Sequence, residues 1–158
     1  MERREILFRG QTRRYGEKVK NAAGEPMESN WVYGGIFPNN DGGDFAIIYQ
    51  QEPDIKKFSV YADTVGQYTG LTDKNGKKIF EGDIVSNEWC LISGNSVVKF
   101  GEYRGSYMSK EYQQGHYGFH LEHLDPSEEA ITRKDMMYFA NRCEVIGNIH
   151  DNPELIKE

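Results

Sequence analysis

Apolar and polar residues alternate along most of this chain in short runs that turn-forming residues separate, a pattern typical of β-strands. Strands are predicted at residues 5–9, 31–37, 45–50, 64–71, 78–80, 84–92, 96–105, from His116 onward, and at 143–150. The stretch PNNDGGD, 38–44, has strong turn chemistry because Asn, Asp and Gly tolerate positive φ. The strands 31–37 and 45–50 on either side of it are therefore predicted to form a hairpin.

The segment VGQYTGLTDKNGKKIFEGDIV, 65–85, contains the clearest turn signal. Its Asn75-Gly76 dipeptide is favoured in two-residue type I′ hairpin turns, where both central residues need φ > 0. Further along, Glu81-Gly82-Asp83 breaks the alternation and indicates a bulge or a sharp bend. The tripeptide SGN, 93–95, is predicted to end the strand region 84–92.

Two short helices are predicted near the C-terminal end of the chain. The first covers about 127–141, with Ser127 as N-cap and two acidic residues in the first turn, where the helix dipole favours them. The second begins at Pro153, with Asn152 as its cap.

Composition agrees with a soluble, β-rich protein. The 158 residues are enough for one domain with a core, and 13% of them are aromatic. The sequence has no apolar run of membrane-spanning length and no signal-peptide pattern, so a cytoplasmic protein is expected. Its two cysteines, Cys90 and Cys143, are then expected to be reduced thiols.

Charge is distributed unevenly along the chain. Residues 1–20 carry seven Lys or Arg and three Glu, a balance of +4, so the remainder of a chain with net charge −6 carries −10. Such a basic segment could contact nucleic acid through Arg3, Arg4, Arg13 and Arg14, meet an acidic subunit, or be a solvated strand face. Nucleic-acid binding is not favoured, because an acidic body repels phosphate at range.

The stretch GHYGFHLEHLD, 115–125, has histidines in a spacing that could suggest a metal site. A helix would place His116, His120 and His123 on one face, but the glycines and aromatics favour a strand. Histidines four residues apart on a strand lie about 13 Å from each other. Only His120 and Glu122 then remain as a close pair, which is a weak metal site. A metal-dependent enzyme is therefore the third of three hypotheses.

Aromatic residues are numerous enough to predict an interface. Ten Tyr, eight Phe and two Trp exceed what a small β domain encloses. Exposed aromatics that gather in a patch usually mark an interaction surface, and edge strands need covering. Self-association is predicted through the strand 31–37, with Trp31, Tyr33 and Phe37 on one face.

Four motifs carry a resemblance to a known family. They are REILFRG (4–10), WVYG (31–34), TVGQYTGLTDKNGKKIFEGDIV (64–85) and EVIGNIHDNPEL (144–155). In motif content, order and spacing the chain resembles the YopX family of phage and prophage proteins. The resemblance implies a mobile-element origin in a bacterial host, a β-rich fold with an SH3-like barrel portion, and self-assembly. It implies no enzymatic activity, no catalytic residues and no cofactor.

The resulting prediction is a mainly β (β-rich α+β) protein with a single domain over 1–158. Within it, an N-terminal β segment, 1–63, packs on a barrel-like core, 64–158. The predicted function is a non-enzymatic binding or assembly module whose partners are other copies of itself and a phage or host protein. A nucleic-acid-binding accessory protein is the first alternative.

Overall fold

The computed structural model of the chain describes residues 3–12, 30–37, 42–89, 92–104, 115–124 and 140–156. The described residues form ten β-strands and three short 3-10 helices, in two antiparallel sheets. The chain divides into two compact units, Met1–Tyr68 and Thr69–Glu158. The prediction of a mainly β fold is confirmed, whereas a single domain with a division at 63/64 stays a prediction.

The first unit contains most of a six-stranded sheet with the strand order β4-β3-β2-β1-β5-β6, in which β6 (Lys78–Phe80) belongs to the second unit. Its strands are β1 (Phe8–Gln11), β2 (Trp31–Phe37), β3 (Phe45–Gln50), β4 (Lys56–Tyr61) and the start of β5 (Gly66–Thr72). A 3-10 helix, Ala62–Thr64, follows β4. The predicted hairpin of β2 and β3 is confirmed, with Gly35 opposite Tyr49 and Phe37 opposite Ile47.

One face of this sheet makes the core of the first unit. Ala46, Ile48 and Val60 are buried there, and partly buried apolar residues surround them: Phe8, Val32, Ile36, Phe58, Ala62 and Val65. In β3 and β4 every second residue belongs to this core, which is the period-2 pattern of a strand with one buried face. The intervening residues lie on the opposite face.

The second unit begins within β5 and contains β6 (Lys78–Phe80), β7 (Asp83–Trp89), β8 (Ile92–Arg104), β9 (Gly115–His123) and β10 (Cys143–Asn148). Four of these strands form a sheet in the order β10-β7-β8-β9. Its buried core consists of Ile79, Val85, Val98, Leu121, Ala140 and Cys143. The 3-10 helices Ala140–Arg142 and Pro153–Leu155 flank β10.

The turn between β5 and β6 differs from the prediction. Gly76 has φ +80°, but no other residue type among the described residues has a positive φ, so Asn75 does not fit a type I′ turn. The Asp73 N–H donates to the Lys77 carbonyl, and the Gly76 N–H donates to the Asp73 carbonyl. This is the three-residue hairpin loop, in which only the last loop residue needs a positive φ. The type I′ assignment was wrong because it ignored the Asp73 side chain, which bonds the turn.

The bend predicted at Glu81-Gly82-Asp83 is confirmed, with Gly82 at φ +85° between β6 and β7. The break predicted at 93–95 is wrong, because β8 runs through these residues and pairs Gly94 with Asn87. Trp89 pairs with Ile92, and residues 90–91 between them lie outside the described residues.

The two predicted helices have different outcomes. Most of 127–141 lies outside the described residues, and Ala140–Arg142 is 3-10 helix. The second does begin at Pro153 but is a three-residue 3-10 helix, and the Asn152 side chain does not cap it. That side chain instead accepts a hydrogen bond from the Asn148 N–H at 3.2 Å.

Neither sheet of the described residues closes into a barrel, so the SH3-like portion stays a prediction. Among the same residues, no helix is long and apolar enough to cross a membrane.

Candidate binding surface

The face of the first sheet opposite its core is apolar and exposed. Alternation along β2, β3 and β4 places on it the residues Tyr33, Phe37, Phe45, Ile47, Tyr49, Lys57, Ser59 and Tyr61, which we call the aromatic face. Four large side chains there are exposed: Tyr33 by 42%, Phe37 by 44%, Phe45 by 49% and Ile47 by 41%. A sheet face of this kind normally carries polar residues when it meets only water.

Ring contacts hold the aromatic face in a defined arrangement. The rings of Phe37 and Tyr49 lie 4.7 Å apart between centroids, and those of Phe45 and Tyr61 lie 5.0 Å apart. The Lys57 ammonium lies 5.5 Å from the Phe37 ring centroid, within cation–π range. The two ring pairs join neighbouring strands and the Lys57–Phe37 contact spans β3, so the face is organised before any partner arrives.

The three residues predicted for an oligomer interface share one face of β2, so Trp31 also belongs to the aromatic face. Tyr33 and Phe37 are exposed there, and Trp31 is half-buried. The Arg9 guanidinium carbon lies 4.5 Å from the centroid of the Trp31 ring. Sequence reasoning missed Phe45 and Ile47, although their alternation with the buried Ala46 and Ile48 is visible in FAIIYQ. Whether Trp31, Tyr33 and Phe37 form an interface stays a prediction.

The residues predicted to contact nucleic acid are only partly within the structure. Arg3 and Arg4 are exposed, and Arg13 and Arg14 lie outside the described residues. The contact with nucleic acid therefore stays a prediction.

The β8–β9 hairpin carries a second group of aromatic residues. Phe100 lies 5.3 Å from Tyr117 and 4.9 Å from Phe119 between ring centroids, in edge-to-face geometry. Tyr117 is 76% exposed and Phe100 is 49% exposed. This cluster belongs to the second unit and contains fewer exposed side chains than the aromatic face.

The other face of the same hairpin holds the histidines considered for metal binding. Tyr103 stacks on His116 at 5.4 Å and on His120 at 5.0 Å between centroids. Since residues four apart on a strand are about 13 Å apart, the tyrosine ring lies between the two imidazoles. Glu122 accepts a hydrogen bond from the Lys99 ammonium at 2.8 Å, and Lys99 lies opposite His120 in the hairpin. These side chains stabilise the hairpin through stacking and an exposed ion pair.

A buried carboxylate organises the β5–β6 turn of the second unit. Asp73 accepts hydrogen bonds at Oδ1 from the N–H groups of Asn75 and Lys77, both at 2.9 Å, and at Oδ2 from the Val145 N–H at 3.0 Å. Burial raises the pKa of Asp73, but these three bonds and the charge of Lys77 outweigh it, so the pKa lies below its ordinary value of 3.8. Asp73 therefore ties the turn to β10 as a carboxylate.

The thiol of Cys143 is buried beside this network. Burial is the main cause that raises its pKa to about 11, and the negative charge of Asp73 adds to it. The Sγ atom lies 3.3 Å from the Ala140 carbonyl oxygen, to which it donates. Cys143 is a free thiol, as expected, and Cys90 lies outside the described residues.

These features define a class of protein: a β-rich protein of two antiparallel sheets, whose most extensive described surface feature is an ordered aromatic sheet face. The chain belongs to the YopX family, since the family model described as YopX protein matches residues 28–157. Among solved structures, it is similar to the crystal structure of protein EF1440 from Enterococcus faecalis. The two are 20% identical with a TM-score of 0.44, over 97% of this chain and 99% of that chain. No curated protein matches the chain.

Proposed function

We propose that this chain is a non-enzymatic binding and assembly protein of a phage or prophage, which acts in the cytoplasm of the bacterial host. It binds further copies of itself and, through the assembled form, a phage or host protein. Membership of the YopX family and the resemblance to its phage and prophage members support the origin.

The aromatic face is the observation that carries the binding role. If a large side chain offers about 200 Å², the exposed fractions of Tyr33, Phe37, Phe45 and Ile47 leave roughly 350 Å² of apolar area. Contiguous apolar patches of about 300–600 Å² on a monomer are often functional. Aromatic side chains also dominate the energetics of protein interfaces, because they bury a large area with few rotatable bonds.

The structural roles of the titratable groups with shifted pKa support the absence of catalysis. The Asp73 carboxylate accepts hydrogen bonds from three backbone N–H groups, and Cys143 packs in the core with a pKa far above physiological pH. A catalytic acid or nucleophile needs the opposite, an accessible group with a pKa near the working pH.

Size-exclusion chromatography with light scattering tests this proposal at micromolar concentration. We expect a mass that is a multiple of 18.2 kDa. The double variant Phe45→Ser/Ile47→Ser should keep this mass but retain less phage or host protein in a pull-down from prophage-induced cells, because it removes apolar area from the aromatic face. Tyr117→Ser is the matched control, since it removes an exposed aromatic from the other unit and should leave the pull-down unchanged. A wild-type mass near 18 kDa at every concentration would contradict self-association.

A further inference from the structure

Strand β4 is the last strand of its sheet in the part of the chain that the structure describes. The Ala62 N–H donates to the Asp44 carbonyl across β3 and β4, which continues the register in which Phe45 faces Tyr61. Because backbone groups in an antiparallel pair alternate in direction, Phe58 and Val60 bond toward β3. The N–H and C=O groups of Lys57 and Ser59 therefore point away from the sheet.

We propose that β4 pairs antiparallel with β4 of a second copy, about a twofold axis that passes beside Ser59. The inference rests on the proposed self-association and specifies its geometry. An edge strand that presents backbone donors and acceptors is a template for another strand, and a twofold axis uses the same edge twice.

The backbone leaves few registers for such a pairing. The residue on the axis must have its N–H and C=O directed outward, which selects Lys57, Ser59 or Tyr61. An axis at Lys57 sets two ammonium groups opposite each other, and like charges directly opposite are destabilising. An axis at Tyr61 uses only the end of the strand, where the Tyr61 carbonyl already accepts a hydrogen bond from the Thr64 hydroxyl at 2.7 Å. An axis at Ser59 lies near the centre of β4, so the pairing uses the whole strand.

The side chains in this register are complementary. On the aromatic face, Lys57 lies opposite Tyr61 of the partner subunit, where a cation and a ring attract each other. On the core face, the half-buried Phe58 has surface to offer to the partner, whereas Val60 is fully buried within its own subunit. Lysines on an edge strand usually oppose pairing, but here the two Lys57 side chains lie about 13 Å apart along the strands.

The pairing also does not depend on the aromatic face, whose apolar area alone is too small for a stable dimer. Two aromatic faces pressed together contribute roughly 700 Å², whereas stable interfaces bury about 1,200–2,000 Å² in total. Pairing at β4 instead places the two aromatic faces side by side in one continuous sheet. Backbone hydrogen bonds then supply the dimer contact, and the doubled aromatic face stays available for the phage or host protein.

Disulfide trapping tests the register. In a Cys90→Ser background, Ser59→Cys places two thiols on the axis, where a hydrogen-bonded pair has a Cα separation of about 5.5 Å, within disulfide range. Lys57→Cys is the control, because its thiols lie too far apart. We expect at least tenfold more cross-linked dimer for Ser59→Cys under mild oxidation, and loss of this difference in urea.

A second variant separates the edge from the rest of the surface. Ser59→Pro removes the outward N–H without removing a bond to β3, so it should raise the dissociation constant at least tenfold with little change in Tm. Ser59→Ala should behave like the wild type. Equal cross-linking at positions 57 and 59 in a protein that light scattering shows to be oligomeric would overturn the β4 pairing alone. A monomer at every concentration would overturn self-association as well.

Discussion

At the scale of single residues, Asp73 and Gly76 explain why the β5–β6 turn has its shape. The carboxylate supplies acceptors for two turn N–H groups and for Val145, and the glycine supplies the one positive φ. A short polar side chain that bonds its own turn is a common substitute for backbone hydrogen bonds. The turn therefore depends on the charge of the Asp73 carboxylate and on the absence of a side chain at Gly76.

Gly76→Val should lower the free energy of unfolding by about 1–3 kcal/mol, because a β-branched residue resists a φ of +80°. A Cβ at this position would have open space around it, so the cost is conformational rather than steric. Gly76→Asn should cost less, because asparagine tolerates positive φ. Urea unfolding measures both, and equal stabilities for the two variants would contradict this cause.

Asp73→Asn should destabilise the protein by about 1–3 kcal/mol at pH 7, since the amide can no longer accept from every N–H that surrounds it. Its effect should depend on pH in a defined direction. A carboxyl whose pKa is lower when folded stabilises above its unfolded pKa, near 3.9, and loses that contribution as the pH falls through the folded value.

Urea unfolding from pH 7 to pH 2 measures this dependence, and the variant should lose less stability on acidification than the wild type. Lys74→Ala is the control, because it removes an exposed ion pair with Glu144 at 2.9 Å and leaves the Asp73 carboxylate in place. Such pairs contribute about 0.2–1 kcal/mol. If the free energy of unfolding fell equally for the wild type and Asp73→Asn as the pH is lowered, Asp73 would not be the titrating group.

The Cys143 thiol should resist modification in the folded protein. With a pKa of about 11 and a buried sulfur, almost none of it is an accessible thiolate at pH 8. In a Cys90→Ser variant, the colorimetric thiol reaction should be slow in buffer and fast in urea. Rapid reaction in buffer would contradict the burial of Cys143.

At the scale of elements, β3 shows how one strand serves both core and surface. Ile48 is fully buried, and the adjacent Ile47 is 41% exposed on the aromatic face. Ile48→Ala should therefore cost about 2–5 kcal/mol of stability, and Ile47→Ala should cost far less. Ile47→Ala should also leave the oligomer mass unchanged, because pairing at β4 does not bury the aromatic face. Thermal melts and light scattering on the pair distinguish these effects, and similar Tm losses would contradict the two-faced strand.

Alternation and turn chemistry predicted the β2–β3 hairpin, the bend at Gly82 and the strand through His120, because these depend on neighbours in sequence. The type I′ turn, the end of a strand at 93–95 and the Asn152 cap were wrong. In each case a contact outside the local pattern determined the structure. The Asp73 carboxylate bonds the turn, Gly94 within β8 pairs with Asn87, and the Asn152 side chain accepts from the Asn148 N–H. The aromatic face was half predicted, since Tyr33 and Phe37 were named but Phe45 and Ile47 needed the sheet register.

At the scale of the whole molecule, the charge is divided between a basic N-terminal segment and an acidic remainder. Any binding of nucleic acid by this protein should be weak and strongly salt-dependent. Changing Arg3, Arg4, Arg13 and Arg14 to Ala should abolish it. A mobility-shift titration at low salt measures it. Tight binding that survives the four changes would place the contact elsewhere.

The bond between Val145 and Asp73 joins residues 72 positions apart. During synthesis at 5–20 residues per second, the carboxylate leaves the ribosome roughly 4–14 s before its partner amide. Over that interval the turn has only its own two N–H groups, so water must complete the solvation of the carboxylate and the turn cannot yet be buried. The second unit therefore closes late in translation. A premature stop codon before position 145 would release a chain that holds a hydrated charge where its core should form.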